Sequence, residues 1–219
     1  MPIDVFAAIP DHELRALGRR RTFARDEVVF HRDDPGDSLH RIDRGRFAAR
    51  IVTPLGEVAT VAVQGPGEVF GLFAVLAPGH RRTATVVALE DAETLSLAAS
   101  DVHRLRRAHP EITEAIVELL TEEVAETSER LVEALYSPAS RRVTERLRAL
   151  AELYADRVED GRVVIPLSQE HLAGLAGSTR ETVNRVLKSE QQRGRVDLGR
   201  NRITVDLDAL RSSATRSGA

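Results

Sequence analysis

Between positions 168 and 188 the chain reads Ser168-Gln-Glu-His-Leu-Ala-Gly-Leu-Ala-Gly-Ser-Thr-Arg-Glu-Thr-Val-Asn-Arg-Val-Leu-Lys188. If its second half is helical, Arg180, Glu181, Asn184, Arg185 and Lys188 share the outer face, while Val183, Val186 and Leu187 turn inward. Arginine forks two N–H groups onto guanine O6 and N7, and glutamate accepts from cytosine N4. Arg180, Glu181 and Arg185 therefore have the chemistry of base readers on a helix that enters a major groove end first. Ser168 and Thr179 are expected to cap two successive helices, and Gly177 to supply the left-handed residue of the turn between them. The first helix buries Leu172 and Leu175 and places the small Ala173 at the crossing. Ser168, Thr179, Thr182 and Lys188 are candidates for phosphate contact, which positions a reader without specifying sequence.

Two short β-prone runs, Val196–Leu198 and Ile203–Val205, flank Gly199-Arg200-Asn201-Arg202. They predict a hairpin whose tip offers Arg200 and Arg202 to a phosphate backbone. From Gly177 to Arg202 there are seven basic and three acidic residues, although the whole chain carries a net charge of −3. From Glu111 to Glu133 there are eight glutamates and one arginine. The sign of the charge is thus segregated along the chain, and the basic end suits nucleic acid.

The elements that must present this end are also legible. His109-Pro110-Glu111 starts a helix, with proline in the first turn, where its missing N–H costs nothing. Ile112, Ile116, Leu120, Val124, Thr127, Leu131 and Leu135 then recur at steps of three or four, forming one apolar stripe on a long helix. Such a rod in a small acidic segment predicts pairing with a symmetry mate; packing on the protein's own β domain is the alternative. Ser137-Pro138 is expected to end it and to start another helix, with Ser137 as N-cap, Pro138 at the first position, and Val143, Leu147, Leu150 and Leu153 inward. The polar 156–162 stretch reads as a loop, and Val163–Ile165 as a short strand.

Upstream, residues 1–22 read as a short helical segment with Asp11 as N-cap and Arg19, Arg20 and Arg21 as its solvated end. Residues 23–98 carry β-prone runs at Glu27–Phe30, Phe47–Val52, Val58–Val63, Thr83–Ala88 and Glu93–Leu97, separated by Gly, Pro and Asp turns. A short helix over Ala99–Ala108 follows. The fold class expected is α+β: an N-terminal β-roll or jelly roll over 1–109, a dimerisation helix over 110–136, and a winged helix-turn-helix over 137–219.

Composition narrows the chemistry. The chain of 219 residues is 42% hydrophobic and 30% charged, ordinary for a globular protein, and it has no cysteine. No run of about eighteen apolar residues and no export signal is visible, so a cytoplasmic protein with no membrane association is expected. There is no nucleophile elbow, phosphate-binding loop, dinucleotide fingerprint or metal-spaced histidine pair, so no enzymatic activity is expected. Asp33-Asp34 and Asp37 flank Pro35-Gly36 and read as a polar turn rather than a metal site.

At this point the chain resembles the cyclic-AMP receptor protein/fumarate-nitrate regulator superfamily of bacterial transcription regulators over nearly its whole length. The resemblance is carried by Arg180-Glu181-Thr182-Val183 with Arg185, and by the order of β domain, long helix, hinge and winged helix. It implies a homodimer on double-stranded DNA, a palindromic operator with half-sites similar to TGTGA, and RNA polymerase as a further partner. It also implies an effector pocket. The family's phosphate cassette resembles Gly67 to Leu72 followed by Arg82-Thr83-Ala84. Gly71, Arg82 and Thr83 would then meet a cyclic phosphate, and Thr127 and Ser128 an adenine. Leu72 stands where the cassette carries a glutamate for the ribose, and Glu123 where the long helix carries an arginine. Those departures predict a degenerate pocket: cyclic AMP or another small effector is possible, and none is required. The missing cysteines exclude an iron–sulfur sensor. Haem would need histidine and the N-terminus, and His31, His40, His80 and Pro2 stand in no context that favours it.

The alternatives are a cyclic-AMP-dependent regulator, a cyclic-nucleotide-binding regulatory subunit without a DNA target, a three-helix protein-interaction module, and a non-specific DNA binder. The last predicts diffuse positive charge, and the regulatory subunit has no use for residues 168–205.

Overall fold

The computed structural model describes residues 3–54, 56–76, 79 and 81–214, with side chains through Arg211. The chain divides into two compact units, 1–129 and 130–219.

The first unit opens with helix α1 (Asp11–Leu17). Its N-cap is Pro10, not Asp11, which lies in the first turn beside Glu13 and complements the helix dipole. Strand β1 (Arg19–Phe23) follows, so the three arginines are strand residues, not a helix end. The remaining strands are β2 (Val28–Phe30), β3 (Ser38–Arg44), β4 (Phe47–Val52), β5 (Val58–Gln64) and β6 (Val69–Phe70). After the short helix α2 (Leu72–Leu76) come β7 (Thr85–Ala88) and β8 (Ala92–Ala98). Thr83, expected at the start of a strand, precedes β7 by two residues.

These eight strands make two antiparallel sheets, ordered β1-β8-β3-β6 and β2-β7-β4-β5. Both sheets contribute to one core of Phe23, Ile42, Phe47, Phe70, Val86, Ala88 and Ala92. This is the β-roll. A second core joins the first sheet to the helices that cover it, through Leu14, Leu39, Leu72, Val75, Leu95, Leu97, Val102 and Leu105. Val102 and Leu105 come from α3 (Ala99–Ala108).

Helix α4 runs from Pro110 to Tyr136, a rod of about 40 Å at ~1.5 Å per residue. Its apolar stripe has two fates. Ile112 and Ile116 are buried in the core of the first unit, with Leu119 and Leu120 packed against it. Val117, Val124, Leu131, Val132 and Leu135 are exposed. Packing on the chain's own β domain accounts for the first turns and leaves the rest uncovered.

The second unit continues with α5 (Ala139–Leu153), β9 (Val158–Glu159), β10 (Arg162–Ile165), α6 (Gln169–Ala176), α7 (Arg180–Gln192), β11 (Val196–Gly199), β12 (Arg202–Val205) and α8 (Leu207–Ala214). Pro138 is the N-cap of α5, one residue later than expected, and no side chain caps that helix. The stretch read as a loop contains β9, which pairs with β10 and extends the sheet to the order β11-β12-β10-β9. Val143, Leu147, Leu150, Tyr154, Leu172, Val183, Leu187, Ile203 and Val205 are buried in this unit.

Candidate nucleic-acid interface

Helix α6 starts where its chemistry requires. The Ser168 hydroxyl accepts from the His171 N–H at 3.3 Å, and His171 Nδ1 accepts from the Ser168 N–H at 3.3 Å. This is a capping box in which histidine replaces the usual glutamate or glutamine, so the ordinary signature does not reveal it. Leu172, Ala173 and Ala176 are buried, whereas Leu175 is only half-buried, contrary to its expected inward position. Gly177 ends the helix in the left-handed region, φ +53°, a conformation that lacks penalty only without a Cβ.

The turn is held from a distance. Arg142 donates from Nε to the Ala176 carbonyl at 3.0 Å and from Nη2 to the Gly177 carbonyl at 2.9 Å. Its Nη1 reaches the Ser137 carbonyl at 2.8 Å. One guanidinium thus ties the start of α5 to the turn before α7. The contact spans some 35 residues of chain, and no local sequence pattern announces it.

Thr179 caps α7, its hydroxyl accepting from the Thr182 N–H at 3.2 Å and donating to the Thr182 hydroxyl at 3.1 Å. Val183, Val186 and Leu187 are buried, as expected. Arg180, Glu181, Arg185 and Lys188 are exposed, and among the described residues no side chain pairs with any of them. Glu181, Asn184, Arg185, Lys188, Ser189 and Gln192 line a shallow depression on this face. A row of charged groups free of internal partners has its hydrogen-bonding capacity available to a ligand. Buried Glu190 anchors the C-terminal end, accepting from Arg193 at 2.7 Å and from Arg195 at 3.1 Å.

The hairpin after α7 forms as expected. Val196 pairs with Val205 and Gly199 with Arg202, which leaves Arg200 and Asn201 at the tip, Asn201 with φ +51°. Arg200 is exposed and has no partner among the described residues. Arg202 donates to Glu159 at 2.6 Å, so β9 supplies a counter-charge to one of the two wing arginines.

The candidate effector residues divide differently. Gly71 and Arg82 meet: Arg82 Nη1 lies 2.7 Å from the Ser38 carbonyl and 3.4 Å from that of Gly71, while Nη2 lies 3.0 Å from the Ser38 hydroxyl and 3.4 Å from Asp37. Gly71 has φ +83°, and a Cβ there would sit 3.0 Å from the Ser38 carbonyl oxygen and 2.5 Å from that guanidinium, so glycine is favoured at this position. Arg82 is buried, with its charged group 4.0 Å above the Phe30 ring. Burial holds its pKa below the ordinary guanidinium value. Arg82 Nε is buried with no hydrogen-bond partner. Leu72 belongs to the helix-covered core. Thr83, Thr127 and Ser128 are exposed, Ser128 donates to the Val124 carbonyl at 2.8 Å, and none of the three bonds to Arg82 or Gly71.

Of the histidines, His40 is buried, stacked on Phe70 at 4.9 Å and bonded through Nδ1 to the Thr94 hydroxyl at 3.0 Å. His31 is on the surface. His80 and Pro2 lie outside the described residues. Among the described residues there is no cluster of three metal-ligating side chains and no helix long and apolar enough to cross a membrane.

A β-roll, a long helix, and a winged helix-turn-helix with an unpaired polar outer face define the class of two-part transcription regulators. Comparison with known proteins agrees. Residues 20–109 match the cyclic nucleotide-binding domain family, and residues 141–213 match the Crp-like helix-turn-helix domain family. The Cyclic AMP receptor protein of Thermus thermophilus is 31% identical over 88% of this chain and 86% of its own. The CRP-like cAMP-activated global transcriptional regulator of Mycobacterium tuberculosis is 29% identical over 94% of each chain. A solved CRP/FNR-family transcriptional regulator of Thermus thermophilus superimposes with a TM-score of 0.75 at 25% identity, covering 90% of this chain and 98% of that one. The chain belongs to the CRP/FNR family of bacterial transcription regulators.

Proposed function

We propose that this protein is a cytoplasmic, homodimeric regulator that reads a palindromic operator and does not require cyclic AMP to do so. The observation that carries the reading is the α7 face, where Arg180, Glu181 and Arg185 project outward with no internal partner while Val183, Val186 and Leu187 lock the helix into its core. Arg180 and Arg185 read guanines and Glu181 accepts from a cytosine, in half-sites similar to TGTGA. Ser168, Thr179, Thr182, Lys188, Arg200 and Arg202 meet phosphates.

The exposed half of the α4 stripe supports the dimer. Val117, Val124 and Leu131 recur at seven-residue spacing, the repeat of a two-helix seam. A two-fold dimer on a palindromic operator offers its two α7 helices to successive major grooves, which lie about 34 Å apart. RNA polymerase is the further partner through which such a regulator acts on transcription.

The β-roll supports a degenerate nucleotide site. Arg82 is held by Ser38, Asp37 and Gly71, Leu72 is buried in the core, and Thr83, Thr127 and Ser128 are exposed with no hydrogen bond to Arg82 or Gly71. A cyclic phosphate would have to displace protein acceptors from Arg82. A second reading, a cyclic-AMP-dependent regulator, is favoured by the unpartnered Arg82 Nε and by the names of the relatives above. Selection of bound sequences from a random DNA pool, with and without cyclic AMP, separates the two. Equal enrichment of one palindrome in both arms is expected. Enrichment only with cyclic AMP establishes the second reading, and no enrichment in either arm removes base readout altogether.

A further inference from the structure

We propose that Asn184 is an additional specificity-determining residue, which reads an adenine inside each half-site; the inference rests on the base-reading role of α7 proposed above. With ~100° of rotation per residue, Asn184 stands about 40° around the helix from Arg180, towards the outward direction shared by Glu181, Lys188 and Arg185. It lies about 6 Å along the axis from Arg180, between that residue and Arg185 in sequence. It is therefore flanked by readers on both sides.

Its environment fits the role. Asn184 lines the shallow depression together with Glu181, Arg185 and Lys188. The residue is half-buried against the helix surface, which limits the freedom of a short side chain. Among the described residues nothing hydrogen-bonds its carboxamide, so both the donor and the acceptor remain available. A carboxamide is the group that matches adenine, donating to N7 while accepting from the N6 amino group. None of the charged neighbours offers that pairing: arginine and lysine only donate and glutamate only accepts. Nor does helix stability explain the residue, because asparagine is a poor interior helix former compared with alanine.

The test is selection from a random DNA pool with the full-length protein and its Asn184→Ala variant, followed by titration of both on the wild-type consensus and on single-base changes. The wild type is expected to require an A·T pair in one orientation at an interior position. The variant should keep every other preference and lose roughly 5- to 150-fold of discrimination at that position alone. Identical preferences in the two proteins overturn the role of Asn184 while leaving the α7 reading intact. Loss of all enrichment in the variant alone overturns it too, since it assigns Asn184 to helix support. Failure of the wild type to enrich any sequence, with cyclic AMP or without it, overturns the underlying reading and this inference with it. Asn184→Gln, which keeps the carboxamide on a longer arm, should shift the preferred base or position rather than abolish the preference; behaviour like alanine counts against a direct contact.

Discussion

His40 shows how much one side chain in the β-roll determines. Its ring is enclosed by Phe23, Phe30 and Phe70, and Thr94 takes its Nδ1. Burial, reinforced by the positive charges of Arg82 and Arg21, pushes the imidazole pKa from 6.5 down to about 3. The unfolded chain therefore binds a proton near pH 6.5 that the folded chain refuses until about pH 3. The neutral ring contributes its full stability above the upper value and progressively less as pH falls through that window, by up to about 1.4 kcal/mol per pH unit. His40→Phe keeps the stacking and removes the proton. It should cost about 1 kcal/mol at neutral pH through the bond lost to Thr94. Between about pH 7.5 and about pH 5 it should lose about 2 kcal/mol less than the wild type, measured by denaturant unfolding at both pH values. Parallel losses in the two proteins would assign acid sensitivity to the carboxylates instead.

At the scale of elements, strand β9 was the least visible and has a clear electrostatic effect. It brings Glu159 to Arg202 on the wing, a pair that is half exposed on both sides and so worth at most about 1 kcal/mol of stability. Its larger consequence is for the phosphate contact proposed for Arg202, with which the Glu159 carboxylate would compete. Glu159→Gln should leave thermal stability nearly unchanged and tighten non-specific DNA binding. The slope of log affinity against log salt should steepen by about one per protomer. An unchanged slope would mean that Glu159 does not hold Arg202 back from DNA.

What sequence reveals of these elements follows their periodicity. Phe47–Val52, the 27-residue α4 and the capped pair α6 and α7 announce themselves through alternation, helical spacing, or a Ser or Thr before a helix. β1 does not: it is an edge strand, exposed from Arg19 to Thr22, and three consecutive arginines carry no alternation. β3 sits in the middle of its sheet yet reads Ser-Leu-His-Arg-Ile-Asp-Arg, because its polar groups are paired with distant ones such as Thr94, Asp11 and Glu93. The outer face of α7 was legible residue by residue, since solvent and ligand impose the same composition. The engagement of Arg82 by Ser38 and Asp37 was not, because a 44-residue separation leaves no local trace.

For the whole molecule the decisive quantity is the apolar surface that α4 leaves bare. Leu131 is 60% exposed and Val124 67%, with Leu135 and Tyr136 beyond them. A Leu131→Glu change therefore meets no packing in the single chain and should not unfold it. It should convert the dimer proposed above to monomers in sedimentation, with the helical signal retained. Affinity for a two-half-site operator should then fall by at least tenfold, while a single half-site is bound as before. A variant that stays dimeric would place the two-fold interface elsewhere.

The placement of the aromatic rings has a spectroscopic result. The chain has no tryptophan and two tyrosines, and both, the solvent-facing Tyr136 and the wholly buried Tyr154, belong to the C-terminal unit. Tyrosine emission from the intact protein thus carries nothing from the β-roll and follows the C-terminal unit. Melting curves traced by that light and by circular dichroism will coincide only when the two halves lose their structure together.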